Sequence, residues 1–165
     1  MKPQVNINVN ITVDNLSQFE KAIELLQRKQ VLAGVPEAKA RRQGDPINNA
    51  TLAAIHDRGS PSQNIPARPF MEPGIKDVSG KIEQKLLSAG QAVLDGDALK
   101  AEQRLEEVGL IAQNGLRARV NSNIQPPLKP ATLAARRRRG RTGTRTLVDT
   151  ASMRNSLTYV VRDKP

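Results

Sequence analysis

Val5, Ile7, Val9, Ile11 and Val13 alternate with Asn6, Asn8, Asn10, Thr12 and Asp14. A strict period of two over this length predicts a strand with one buried face. The rhythm then changes. Leu16, Phe19, Ile23 and Leu26 recur at helical spacing, predicting an amphipathic helix to about Lys29. Ser17 and Glu20 have capping-box spacing at its start. Residues 31–35 read as a short strand stopped by Pro36, and 37–46 as a charged loop.

Further along, Asn48 or Asn49 caps a short helix over residues 50–58, and Gly59 ends it. Residues 60–73 contain Pro61, Pro66, Pro69 and Pro73 and read as an extended, irregular crossing. A helix is expected over about 75–94, with Ile82, Leu86 and Leu87 facing inward. After the turn Asp95-Gly96-Asp97 a second helix covers about 98–120, its inner stripe being Ala101, Leu105, Val108, Ala112 and Gly115. Small residues at the last two positions let another backbone approach closely. The competing reading is a slightly weak helix, since glycine costs about 1 kcal/mol against alanine.

Pro126, Pro127 and Pro130 stop that helix. Residues 132–135 start another short one with Thr132 as cap, followed by a polar, mobile loop holding the arginine run at about 134–146. Asp149 or Thr150 caps one helical turn through Leu157, and residues 158–162 alternate as a last strand. Strands at both ends with helices between give an α+β class. The expectation is one domain over residues 1–165, with a small mixed or antiparallel sheet packed by two longer helices and long loops.

Composition adds a constraint on the core. Phe19, Phe70 and Tyr159 are the whole aromatic complement of 165 residues, so aliphatic side chains and alanine must do the packing. With eleven glycines, eleven prolines and a mean hydropathy of −0.50, such a domain gains stability from assembly, because burial only narrowly exceeds chain entropy. The chain has no cysteine, which excludes disulfides and thiolate metal sites. No apolar run approaches the ~18 residues of a membrane span, and the N-terminus lacks a signal-peptide core. A soluble protein of a cytoplasm, with no membrane partner, is expected.

Charge is uneven. The formal net charge is +10, and Lys129, Arg136, Arg137, Arg138, Arg139, Arg141 and Arg145 supply +7 of it in one window without an acid. Arginine holds phosphate oxygens through paired donors, so these six arginines are candidates for contact with DNA or for facing a channel that DNA traverses. No aromatic residue interleaves with them, which argues against stacking on single strands. A solvated loop, or one paired with acidic protein partners, is the other reading.

Catalytic chemistry finds little material. His56 is the sole histidine, and no Gly-rich phosphate loop, metal-ligand cluster or nucleophile elbow is present. His56 and Asp57 are neighbours on a helix and point apart, so a structural or interface role is expected. Glu102, Glu106 and Glu107 beside Lys100 and Arg104 read as an ion-paired face rather than a metal site. No enzyme activity, cofactor, catalytic residue or metal is expected. Pro66, Arg68, Pro69 and Phe70 form a candidate subunit interface. The prolines restrict the backbone beforehand and Phe70 offers a rigid anchor, unless Phe70 fills this subunit's own core.

Four features in order carry a resemblance. They are Ala53-Ala54-Ile55-His56-Asp57-Arg58-Gly59 before Pro66-Ala67-Arg68-Pro69-Phe70, the helical pair, Pro127-Leu128-Lys129-Pro130-Ala131-Thr132-Leu133, and the ending Asp149-Thr150-Ala151-Ser152-Met153-Arg154-Asn155-Ser156-Leu157-Thr158-Tyr159. From about Val31 onward the chain resembles the tail-completion (neck) proteins of tailed bacteriophages. It departs from them at Ala151, where the family often has glycine, and at 136–145 and 38–46, which look like insertions. The resemblance implies an α+β subunit of the virion neck, made in the host cytoplasm and assembled as a ring, a hexamer, between tail terminator and head connector. It implies no catalytic residues. Genomic DNA in the channel would be a non-specific partner. The alternatives are a small basic nucleic-acid-binding protein working through 136–145, or another neck subunit, head closure or tail terminator.

Overall fold

The computed structural model describes residues 16–42 and 46–165; the strand expected over residues 5–13 lies outside them. The first described element is helix α1, Leu16–Arg28, which passes directly into strand β1, Lys29–Gly34. The last is strand β2, Thr158–Asp163, and it pairs antiparallel with β1 from Lys29 opposite Asp163 to Gly34 opposite Thr158. Chain closure therefore rests on a two-stranded sheet built from segments far apart in sequence.

Between the strands the chain is helical. Helix α2, Asn49–Arg58, starts where Asn48 Oδ1 accepts the Thr51 N–H at 2.8 Å. Gly59 ends it at φ +79°, and a Cβ there would stand 2.7 Å from the Ala67 nitrogen, so glycine is required twice over. A short 3-10 turn, Pro61–Gln63, leads to helices α3, Met71–Lys76, and α4, Ser79–Leu94. The longest helix, α5, Ala98–Asn121, follows after Asp97 caps it by accepting the Lys100 N–H at 2.9 Å. Two short helices, α6, Pro130–Arg138, and α7, Ser152–Ser156, precede β2. The result is an α+β fold with α5 at its centre, packed on the sheet, on α3 and on α4.

The predicted stripe of α5 is the spine of the core. Ala101, Leu105, Val108, Ala112 and Gly115 are all buried. Gly115 allows the close approach expected of it, since a Cβ there would sit 2.5 Å from the Gly74 carbonyl oxygen of α3. Further along, Leu116 and Val120 join Ala53, Phe70, Leu147, Met153 and Leu157 in the main cluster. A smaller cluster of Ala92, Val93 and Ala101 lies against Ile23, Leu25 and Leu26 of α1. Gly109, not singled out from the sequence, lies under the Tyr159 ring, which occupies the place a Cβ would take.

Several expectations are corrected. The helix expected over 75–94 is two helices separated at Asp77 and Val78, and the crossing expected to run to Pro73 ends at Phe70. Pro73 belongs to the first turn of α3, where its missing N–H has no intrahelical partner to lose. Leu86 and Leu87 do not face inward: they are exposed, and the buried side of α4 is formed by Ala89, Ala92 and Val93. Small side chains bring α4 close to α5 and leave the larger ones outside. Finally, α6 begins at Pro130 with Lys129 as cap residue, not at Thr132, because proline pre-sets the first helical φ. It continues through Arg136, Arg137 and Arg138, which are helical rather than part of a loop.

Candidate functional site

Two of the sequence motifs meet in one place, where the end of α2 is tied to the segment after it. Arg68 N–H donates to the His56 carbonyl at 2.8 Å. Asp57 Oδ1 accepts from the Phe70 and Met71 nitrogens at 2.8 and 3.0 Å, supplying the cap that Phe70, in the cap position, cannot give α3. Asp57 thus works away from His56, and the pair forms no dyad. Arg68 is buried and spends Nε on the Pro126 carbonyl at 2.9 Å and Nη2 on that of Pro127 at 3.4 Å. Phe70 is fully buried in the main cluster.

The candidate interface of Pro66, Arg68, Pro69 and Phe70 is corrected accordingly. Phe70 and Arg68 hold this subunit together, and of the four only Pro69 is exposed, with Pro66 half-buried. Phe70 is buried because its backbone is fixed by Asp57 and its ring is one of the few large side chains available to the core.

The arginines also divide. Arg136 is buried, and its Nη1 donates to the carbonyls of Gly143, Arg145 and Val148 at 3.0, 2.8 and 3.1 Å. Its Nε lies 3.4 Å from Asp149, which also pairs with Arg141. Thr146 N–H donates to Asn123 Oδ1 at 3.1 Å, so segment 143–148 is held from two sides. One buried guanidinium thus gathers three backbone carbonyls of the segment that turns back over α6. Arg136 is therefore a structural clamp, corrected from a DNA-facing candidate. Arg137, Arg138, Arg139 and Arg145 are exposed.

Between α2, α6 and the 146–153 segment lies a cleft of about 540 Å³. Its cationic lining is Arg42, Arg68, Arg136 and Arg139, against one acid, Asp149. Leu52, Leu128, Leu147 and Met153 form apolar wall. Two polar atoms at this cleft are buried without a hydrogen-bond partner, His56 Nδ1 and Thr146 Oγ1. Burial depresses the His56 pKa below its ordinary 6.5, and the charges of Arg68, Arg136 and Arg42 lower it further. The imidazole is therefore neutral at pH 7. A groove of about 1000 Å³ adjoins the cleft, walled by Pro61, Ile65, Pro66, Pro126, Pro127 and Pro130.

Among the described residues no group of three histidine, cysteine, aspartate or glutamate side chains is placed to hold a metal. Glu107 pairs with Lys85 at 2.7 Å and with Arg104 at 2.6 Å, and the bonds from Lys85 and Arg104 depress its pKa. No described helix is long and apolar enough to cross a membrane. The sequence pointed to His56 and to the arginine run but not to Asp149 and Thr146 as cleft residues. The one signal for Asp149 was its place as the first acid after seven basic residues.

No family model and no solved structure matches the chain. A stretch of 44 residues is 44% identical to an uncharacterized protein of Methanocaldococcus jannaschii, covering 25% of this chain and 33% of that protein. The chain thus spans about a third of the length of that relative.

Proposed function

We propose that this chain is a structural, non-enzymatic subunit of the neck of a tailed bacteriophage, completing the tail and joining it to the head connector as a ring of about six copies. The reading starts from the ordered motifs that resemble tail-completion proteins. The observation that carries it in the fold is a set of exposed leucines on the described α4–α5 pair. Leu87, Leu94 and Leu99 are 75%, 65% and 69% exposed, and Leu86 and Leu110 are also exposed on the same two helices. Single exposed leucines are ordinary, but five on one helix pair support an interface. The occupant proposed is a second copy, because a ring of identical subunits needs a surface of this chain that meets its own kind. Tail terminator and head connector are the further partners, the virion the destination, and the host cytoplasm the place of assembly.

The test is solution mass by light scattering over a concentration series, with negative-stain images, for the wild type and for a Leu87→Ser, Leu94→Ser, Leu99→Ser variant. Rings of about six that the variant loses, while its circular dichroism is unchanged, support the reading. A wild type that stays monomeric and does not associate with tails lacking their neck overturns it.

A second reading, a basic nucleic-acid binder, is favoured by the exposure of Arg137, Arg138, Arg139 and Arg145 around the end of α6. In the neck these side chains would face the channel and its DNA. Head closure and tail terminator are neighbouring positions open to the same subunit.

A further inference from the structure

The geometry points to the cleft between α2 and α6 as a binding site for a phosphomonoester, a terminal phosphate group carried on a nucleotide-sized organic body. The inference does not depend on ring assembly. It rests first on the two orphaned polar atoms. His56 Nδ1 and Thr146 Oγ1 are buried, belong to different elements, and border the same cavity without a partner. Buried polar atoms are almost always satisfied, so a pair of orphans at one cavity marks where a ligand's hydrogen-bonding atoms go. The threonine hydroxyl can donate to a phosphate oxygen, and so can the imidazole once Nδ1 carries the proton.

The charge balance fixes the ligand's sign. Arg136 is paired with Asp149, and Arg68 and Arg139 line the cleft beside that pair, so the lining is positive on balance. Arg68 and Arg136 are already positioned by backbone carbonyls, so little side-chain freedom is lost when an anion arrives. Arg139, exposed at the rim, is the side chain left to close over the phosphate. Size and apolarity fix the rest. A cleft of about 540 Å³ lies within the range of small-molecule sites, ~300–1,000 Å³. That is far more than a lone carboxylate needs, and Leu52, Leu128, Leu147 and Met153 suit a sugar or base rather than water. A recessed site cannot take the continuous backbone of a duplex, but it can take a free nucleotide or the 5′-terminal phosphate of a strand.

His56 reports the occupancy. The groups around its imidazole are Arg42, Arg68, Arg136 and Arg139, with Arg58 in the adjoining groove, and Asp149. An anion among them favours the imidazolium, so a bound phosphate raises the His56 titration midpoint. The single histidine gives one set of imidazole resonances, followed by NMR across pH in the full chain. The probes are inorganic phosphate, adenosine 5′-monophosphate, and a blunt duplex with or without a 5′-phosphate.

The expected result is an upward shift of the His56 midpoint with the monophosphate, saturable and weaker with inorganic phosphate. Arg139→Gln and Thr146→Val are each expected to weaken the monophosphate by about tenfold, the loss of one good hydrogen bond. Lys81→Gln, exposed on α4, is expected to leave it unchanged. A duplex that shifts His56 only when 5′-phosphorylated assigns the site to strand ends; a shift with free nucleotide alone assigns it to nucleotide. Should no probe move His56, or should Lys81→Gln weaken binding as much as Arg139→Gln, the proposal fails. Duplex binding that is blind to the 5′-phosphate and leaves His56 unmoved belongs to the exposed arginines and also overturns it.

Discussion

At the residue scale, two side chains sit in environments that work against their preferred states. His56 has its pKa depressed by burial and by Arg68, Arg136 and Arg42. The unfolded chain therefore takes up a proton at this residue before the folded one does. Its contribution to stability is present above about pH 6.5 and is lost as pH falls from there through the depressed folded-state pKa. Thermal unfolding followed across this range is expected to show a drop in Tm on the acid side that is smaller in His56→Gln. The second case is Ala151, which precedes α7 at φ +60° in the left-handed region. An L-residue with a Cβ is held there at a cost of ~1–2 kcal/mol. Ala151→Gly removes that strain and adds unfolded-state entropy of ~0.4–1 kcal/mol. Urea unfolding is thus expected to show Ala151→Gly as neutral to about 1 kcal/mol more stable, the reverse of an ordinary alanine-to-glycine change. The backbone at Ala151 has the conformation a glycine would relax.

At the element scale, the packing of α3 on α5 depends on two glycines facing each other. A Cβ at Gly115 meets the Gly74 carbonyl and Val78, and a Cβ at Gly74 meets the Leu116 backbone. Gly115→Ala gains about 1 kcal/mol of helix propensity but forces the helices apart, an overpacking penalty of ~1–3 kcal/mol. Because the obstacle is backbone, the penalty is expected to win, and chemical denaturation should find the variant less stable by about 1–2 kcal/mol. Gly115 was legible beforehand because it continues the α5 stripe at helical spacing, while β1 was legible as a short run stopped by Pro36 and β2 from the alternation over 158–162. The same logic failed on α4. Periodicity marks two faces of a helix, and the larger side chains suggested that Leu86 and Leu87 were inside. Close packing against α5 instead selected Ala89, Ala92 and Val93. Local pattern also hid the clamp of Arg136, since its partners at 143, 145 and 148 come into reach only when the chain turns back over α6. His56 was singled out in advance, but the cleft around it requires the fold to bring Arg68, Arg136 and Thr146 to one place.

At the scale of the whole molecule, the concentrated positive charge separates into a part that holds the fold and a part that meets the surroundings. Arg136 and Arg141 share Asp149, so neither contributes a full unit of charge to an external partner. Arg137, Arg138, Arg139 and Arg145 do. A variant meant to test DNA binding must therefore spare Arg136, whose removal would orphan three carbonyls and leave the effect on DNA confounded with misfolding. Replacing the four exposed arginines with glutamine keeps polarity and removes only charge. Affinity for duplex DNA is expected to fall uniformly across sequences, and the slope of log affinity against log salt to shrink by up to ~0.9 for each phosphate no longer neutralised. Tm should stay close to that of the wild type, because these side chains face solvent. If the chain is the neck subunit proposed above, the same variant in assembled particles separates the two places such a surface would occupy. Loss of DNA retention with rings intact would put the arginines at the channel wall, since only there would such a subunit feel the genome's charge. Normal retention with weakened joining puts them against an acidic protein neighbour, and the charge then serves assembly alone.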